Sequence, residues 1–520
     1  MTTKRTSAST GGWIAIVLLF AWFAATAWAR TLTLPDEGRY VGVALAMRHS
    51  GDWLVPRLDG LPFFHKPPLF YWLSAASMSI FGVSEWAARL PSVLGATLGA
   101  AAMFLFLRRW VSSAAARNSA MALATMPFFY IGAQFANLDM LVAGCISATV
   151  LLAAHAVLAR EAQQPFRRAL AGAFATAALG LLAKGLIGLV LPGLVFCIWC
   201  LVTRRAGALK LLAWWPGWLI FCAIALPWPV LMQMRYPGFF DYFVVTQHFR
   251  RFAEAGFNNA HPVWFYLPVT AGLTLPWFVL LIAAGWRARR SRWVLSDIDW
   301  LMLIWAATIL VFFSIPRSKL IGYVLPLLPP LGYLVARLVT RGKVQAAGFP
   351  SVFKWGAVVS AGVCLCSVAA VSHYAVAPMS RIALSTDLRI GPDDRVLMLG
   401  AYRYDIPFYW RLGQPIGVVA DWTPETAQSR DNWRKELFDA GMFDAAGRKL
   451  ALVSPQDVRP LLCAQRTTWL IGAPEDRDSA AWLAARAPLH AEGPVAVWRF
   501  SATDAECTDV AAQRSGGPQP

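Results

Sequence analysis

The chain of 520 residues is 57% hydrophobic and only 15% charged, with 25 Trp and 31 Phe. A soluble protein carries about a quarter charged residues, so the composition excludes a soluble globular enzyme and points to a polytopic membrane protein. The formal net charge of +18 does not argue for nucleic acid, because the basic residues alternate with hydrophobic spans.

Apolar runs of about 18 or more residues are long enough, at ~1.5 Å rise per residue, to cross a ~30 Å hydrocarbon core. They occur at 12–29, 90–107, 113–133, 140–159, 168–183, 186–203, 211–231, 263–285, 299–315, 320–337 and 354–374. Counting short or broken helices, they predict about 11–13 transmembrane helices. Lys4 and Arg5 precede the first run, which has no convincing small-residue cleavage site and reads as a retained signal anchor with a cytoplasmic N-terminus. Linkers carrying Arg108-Arg109, Arg167-Arg168, Arg204-Arg205, Lys210, Arg287, Arg289, Arg290, Arg292, Arg337, Arg341 and Lys343 mark the cytoplasmic side. The alternate linkers face outward and hold eight of the eleven acidic residues before position 375: Asp36, Glu37, Asp52, Asp59, Glu85, Asp139, Asp241 and Glu254. An odd number of crossings sends the tail outward as well.

Residues 31–89 form the longest outward loop of the membrane region. Helical spacing of apolar residues from Pro35 to Met47, and a second apolar and aromatic stretch from Pro67 to Phe81, predict two interfacial helices with the turn Arg57-Leu58-Asp59-Gly60 between them. Asp36 and Glu37 open this loop, about one turn beyond the first hydrophobic run. Fixed negative charge beside a low-dielectric slab is a poor choice for stability and a good one for chemistry. The alternative reading is a pair of carboxylates capping the interfacial helix. After about Ala377 the character changes. The β-type runs "DDRVLMLG", "PIGVVAD", "KLALVS", "TWLIG" and "VAVWRF" predict a small α/β domain. The domain plan is therefore 1–375 for the membrane region, 376–514 for the outward α/β domain and 515–520 for a disordered tail. Cys145, Cys197, Cys200, Cys222, Cys364 and Cys366 fall inside spans as small apolar fillers, whereas Cys463 and Cys507 lie in the tail, where an oxidising compartment permits a disulfide.

The outward segments share a set of polar residues. Asp36, Glu37 and Asp139 are the candidate catalytic carboxylates. Arg39, His65, Lys66, Lys184, Arg251, Arg317, Lys319 and Tyr323 are candidates for binding substrate, with His248 and His261 nearby in sequence. Cations on one membrane face suit a lipid-linked phosphate, because Arg forks two oxygens and Lys supplies a point charge. Each has a simpler reading: Arg and Lys snorkel to headgroups, Tyr323 fits an aromatic belt, and Asp139 caps the next helix. His65, His248 and His261 are the candidate ligands of a divalent metal with Asp36 or Glu37, although no spacing matches a zinc motif. No other cofactor is indicated.

The segments "LPDEGRYVGVALAM", "GDWLVPRLDGLPFFHKPPLFYWL", "FGVSEWAARLPS", "LAKGLIGLVLP" and "SKLIGYVLPLLPP" follow one another in consistent order over residues 10–340. Together they resemble the bacterial lipid A aminoarabinose transferases, in the protein O-mannosyltransferase-like branch of the GT-C glycosyltransferases. The tail resembles that family only in position and size. The resemblance implies an all-α polytopic membrane domain of GT-C type with a small C-terminal α/β periplasmic domain. It also implies an inner-membrane glycosyltransferase that moves 4-amino-4-deoxy-L-arabinose from undecaprenyl phosphate to lipid A phosphates at the periplasmic face, giving resistance to cationic antimicrobial peptides such as polymyxin. Asp36 inherits the catalytic role, with Glu37 in the same motif. Arg39, Lys66 and the Lys319/Tyr323 pair inherit donor-phosphate contacts. A lipid A phosphate is already anionic and attacks without a general base, which leaves Asp36 an electrostatic and positioning role, and direct displacement implies inversion. The alternatives are a polyprenyl-phosphate-sugar transferase acting on protein or another glycan, and a lipid-linked sugar flippase or transporter. Charge gathered at one face instead of the bilayer midplane disfavours the second.

Overall fold

The computed structural model describes residues 3–250, 259–288, 294–339, 351–374, 380, 382, 390–463, 467–479, 481–484, 486–501 and 504. The chain divides into two compact units, the first comprising Met1–Arg30, His65–Ser77 and Ser84–His373, the second Thr31–Phe64, Met78–Val83 and Tyr374–Pro520. Most of residues 31–89 therefore falls in one unit with the tail.

The first nine α-helices are α1 (Thr3–Ala24), α2 (Asp36–Ser50), α3 (Leu69–Phe81), α4 (Glu85–Trp110), α5 (Ser113–Thr125), α6 (Pro127–Ala133), α7 (Leu138–Glu161), α8 (Arg167–Lys184) and α9 (Ile187–Val202). Of these α2 belongs to the second unit. Among the described residues five helices are long and apolar enough to cross a membrane: α4, α7, Asp297–Ser314, Ile321–Val339 and Ser351–Tyr374. Two bent pairs, Ala206–Ala213 with Trp215–Ala225 at 50° and Tyr266–Leu273 with Trp277–Trp286 at 106°, make seven if each is one span. Shorter apolar helices occur at Gly11–Ala24, Leu69–Phe81 and Ile187–Val202. Prolines mark where expected continuous runs divide. The run 113–133 separates into α5 and α6 at Pro127, which opens α6 where its missing N–H leaves no helical bond unmade. The run 263–285 bends before Trp277, after Leu275-Pro276.

Packing within the first unit rests on small residues. A Cβ added to Gly144 of α7 would fall 2.1 Å from the Gly95 carbonyl oxygen of α4, and one added to Gly188 of α9 would fall 2.2 Å from the Gly180 carbonyl carbon of α8. Such backbone-to-backbone approach is how helices associate in lipid, where no hydrophobic force draws them together. Near the start of α4, the fully buried Arg89 donates from Nη1 to the carbonyls of Ala27 (2.7 Å) and Arg30 (2.8 Å). Those carbonyls lie in the segment that follows α1 and supply the acceptors a buried guanidinium requires.

The second unit contains a six-stranded sheet in the order β5-β4-β3-β6-β8-β7, made of β3 (Arg395–Leu399), β4 (Gly417–Val419), β5 (Leu452–Val453), β6 (Thr468–Gly472), β7 (His490–Glu492) and β8 (Val495–Phe500). Strands β3 to β6 pair in parallel, and β8 joins β6 and β7 antiparallel. Five of these strands fall in the five β-type runs of the sequence, and β7 is additional. Leu397, Val419, Leu470, Trp498 and Phe500 form the centre of the core. Cys463 is disulfide-bonded, and Cys507 lies outside the described residues.

In the same unit the turn expected at Arg57–Gly60 is a hairpin, β1 (Arg57–Leu58) against β2 (Leu61–Pro62). Asp59 and Gly60 both take positive φ, 53° and 78°, which is the demand of a two-residue hairpin turn. Gly60 is required twice over, since a Cβ there would lie 2.9 Å from Pro415 Cγ. Asp59 Oδ1 accepts a hydrogen bond from the Ile416 amide (2.8 Å), just ahead of β4, so the loop is tied to the sheet. Burial pushes the Asp59 carboxyl up to about 8, against the opposing effect of the Ile416 hydrogen bond.

Replacing Gly144 with Ala should lower the melting temperature of the detergent-purified protein through an overpacking cost of roughly 1–3 kcal/mol. An unchanged melting temperature would show that α4 and α7 can part freely. Because the folded state holds the Asp59 proton more tightly than the unfolded chain does, the Asp59 contribution is complete below about pH 4 and lost as pH rises toward about 8. Asp59→Asn should remove that part of the slope, measured as melting temperature against pH; a variant that keeps the wild-type slope would locate the titration elsewhere.

Candidate active site

In the second unit, α2 begins with Asp36 and Glu37 in its first turn. The two carboxylates do different things. Glu37 is fully buried, and its Oε2 accepts from the Thr33 amide (2.8 Å), so it organises the turn leading into the helix. The Asp36 side chain is 39% exposed and pairs through Oδ1 with Arg39 Nη2, one turn further on. Neither carboxylate caps α2: Glu37 ties the preceding turn at Thr33, and Asp36 is the more exposed of the two.

Arg39 also reaches across the unit. Its Nη1 pairs with Glu436 Oε1 in the helix Trp433–Gly441, and the other Glu436 oxygen accepts from the Tyr404 hydroxyl at 2.5 Å. Its guanidinium lies 5.0 Å from the Tyr40 ring centroid. Burial acts to lower the Arg39 pKa, but Glu436, Tyr40 and Asp36 outweigh it and hold it well above the usual value. Burial, then Glu436, raises the Tyr404 hydroxyl well above the usual range, keeping it a neutral donor. Gly38 sits under this cluster, where a Cβ would lie 2.8 Å from Tyr404 Cβ.

In the first unit, Asp139, Lys184 and Tyr323 come together. Asn137 supplies the cap of α7, its Oδ1 accepting from the Asp139 amide (2.7 Å) and its Nδ2 donating to Asp139 Oδ2 (3.0 Å). That leaves Asp139 Oδ1 to pair with Lys184 Nζ, at the end of α8. The same ammonium lies 4.3 Å from the Tyr323 ring centroid. Both charges are largely withdrawn from water, at 10% and 11% side-chain exposure, so each compensates the other.

The remaining candidates in that unit are distributed differently. His65 is buried with Nε2 2.6 Å from the Tyr242 hydroxyl, and Lys66 follows it, half-buried. Lys319 is buried, its Nζ donating to the carbonyls of His261 (3.1 Å) and Pro316, which ties two loop segments. His261 donates its amide to the Arg317 carbonyl (3.0 Å) and stacks on Phe265 at 4.0 Å, while Arg317 is exposed. Arg251 and the His248 side chain lie outside the described residues. Among the described residues no group of three or more His, Cys, Asp or Glu side chains could hold a metal ion. His65 and His261 have the partners just described.

Sequence reasoning missed Glu436 and Tyr404. The one available signal was a glutamate beside Leu437 and Phe438 on the buried side of a short amphipathic helix.

Lys184→Met should destabilise the detergent-purified protein by roughly 3–5 kcal/mol, because it strands a buried carboxylate, and combining it with Asp139→Asn should recover much of the loss. Additive losses in melting temperature would show that the pair is not coupled.

Three comparisons bear on this geometry. Residues 65–232 match the dolichyl-phosphate-mannose-protein mannosyltransferase family model. An undecaprenyl phosphate-α-4-amino-4-deoxy-L-arabinose arabinosyl transferase of Sodalis glossinidius is 33% identical over 324 residues, 59% of this chain and 55% of its own length. Its Yersinia enterocolitica counterpart is 31% identical over 319 residues, 60% of this chain and 56% of its own. The chain thus spans about half the length of the curated relatives it matches. The crystal structure of ArnT from Cupriavidus metallidurans bound to undecaprenyl phosphate superposes with a TM-score of 0.77 at 24% identity, over 98% of this chain and 99% of that one. The chain is therefore similar in sequence to the aminoarabinose transferases and has the GT-C fold of ArnT.

Proposed function

We propose that this protein is an integral inner-membrane glycosyltransferase that moves 4-amino-4-deoxy-L-arabinose from undecaprenyl phosphate to lipid A phosphates, with its active site and C-terminal domain facing the periplasm. The observation that carries the reading is the first-loop motif: Asp36, still partly exposed, is paired with Arg39 at the start of α2 in a chain whose membrane region resembles arabinosyl transferases.

The chemistry follows from charge. As the anomeric bond breaks, the undecaprenyl phosphate oxygen gains negative charge, and a preorganised cation there is worth more in the transition state than in the ground state. Arg39, Lys66, Lys184 and Lys319 are the candidates for that work; Asp36 and Glu436 offset the charge of Arg39, Asp139 offsets that of Lys184, and Lys319 donates to backbone carbonyls. The acceptor phosphate is anionic and needs no general base, so Asp36 orients the reactants and stabilises positive charge developing on the sugar. A single displacement inverts the anomeric carbon.

Mass spectrometry of lipid A from cells with and without the chain tests this reading. A mass gain matching aminoarabinose is expected only with it, and unchanged lipid A under active expression would favour a protein or glycan acceptor. Asp36→Asn should lower turnover at least roughly 100-fold while undecaprenyl phosphate binding persists. Near-normal turnover would remove Asp36 from the site.

A further inference from the structure

We infer that Glu436, in the C-terminal domain, is a positioning residue for the transfer reaction: it fixes the Arg39 guanidinium, and through it Asp36. The inference rests on the assignment of Asp36 and Arg39 to the site. Nothing in the membrane-region motifs or in the sequence resemblance assigns a role to the tail.

The geometry has three links. Glu436 is buried, at 5% exposure, and divides its oxygens between Arg39 Nη1 and the Tyr404 hydroxyl. Tyr404 is itself buried, and its backbone and Cβ lie against Gly38, between Asp36 and Arg39 in the chain. A short hydrogen-bonded relay therefore runs from the domain core to the first turn of α2. Arg39 uses its other terminal nitrogen, Nη2, on Asp36 Oδ1. A guanidinium is rigid and planar, so anchoring one end sets where the other end points.

Charge makes the arrangement more than a strut. Arg39 stands between two carboxylates, Asp36 partly open and Glu436 buried. With Glu436 in place, Asp36 need not neutralise Arg39 alone, and its outer face stays available to a sugar cation. With glutamine at that position the guanidinium would have Asp36 as its only carboxylate partner of the two, drawing that carboxylate away from the reacting centre. Placement errors of this kind in a preorganised site lower the rate of chemistry more than binding of substrate.

The test compares the full-length wild type with Glu436→Gln, Glu436→Asp and Tyr404→Phe in detergent or liposomes. Aminoarabinose-linked undecaprenyl phosphate serves as donor and lipid A as acceptor. Glu436→Gln should lower kcat roughly 10- to 100-fold with donor KM within about twofold of wild type. Glu436→Asp, which keeps the charge, should recover most of the loss, and Tyr404→Phe should fall between wild type and Glu436→Gln. Melting temperatures measured alongside separate positioning from folding, since a structural role would make activity track stability and not charge. The inference is overturned if Glu436→Gln turns over at the wild-type rate, or if the Gln and Asp variants lose activity equally in step with their melting temperatures. Asp36→Asn run in parallel distinguishes the two levels. Full activity in that variant, or an inactive wild type, defeats the site assignment itself, whereas an inactive Asp36→Asn beside an active Glu436→Gln defeats only the role of Glu436.

Discussion

A charge taken out of water must be met by an opposite charge or by oriented dipoles, and this constraint decides where the chain places its buried ionisable groups. Arg89 is held by the carbonyls after α1, Lys319 by the carbonyls of His261 and Pro316, Lys184 by Asp139, and Arg39 by Asp36 and Glu436. Each solution joins segments distant in sequence, so the contacts that neutralise the charges also hold those segments together within each unit. Glycine complements them on the apolar side: where α4 meets α7 and α8 meets α9, the absence of a side chain lets backbones touch.

The constraint is met differently by the different cations. Basic residues look equivalent by composition, yet Lys319 and Lys184 differ in what holds their charge. A lysine that donates to the carbonyls of His261 and Pro316 is a tie between loops. A lysine paired with a carboxylate and stacked beside Tyr323 is nearly neutral as a unit. Arg39 differs again, because its two terminal nitrogens serve two carboxylates of unequal exposure, and one of these remains open to solvent.

Within the second unit, the C-terminal segment fastens the first-loop motif. The Asp59-Gly60 hairpin reaches the sheet at Ile416, and the Arg39–Glu436–Tyr404 cluster holds the start of α2. The loop is thus fastened at two points along its length, one through a backbone amide and one through charge. Ordering a loop by two separated contacts restricts its orientation in a way that neither contact does alone.

Much of this architecture was legible in the sequence because it follows from short-range regularities. Of the eleven apolar runs, five are single helices long enough to cross a membrane among the described residues, seven if each bent pair is one span; short β-type runs marked five of the six sheet strands, and Asp59-Gly60 marked a turn through its backbone preference. Proline positions explain where expected long spans became pairs of shorter helices. The Asp36-Glu37 motif at the start of a helix was also visible as a local feature. What the sequence could not decide was the division of labour within it, with Glu37 closing the turn and Asp36 remaining partly exposed, or that Asn137 caps α7 and releases Asp139 for Lys184. Nor could it show Glu436 beside Arg39, separated from it by 397 positions. Composition and periodicity report what one segment prefers in isolation. Pairing across hundreds of residues depends on the folded chain bringing buried charges within reach, and only the tertiary structure settles which partner each one finds.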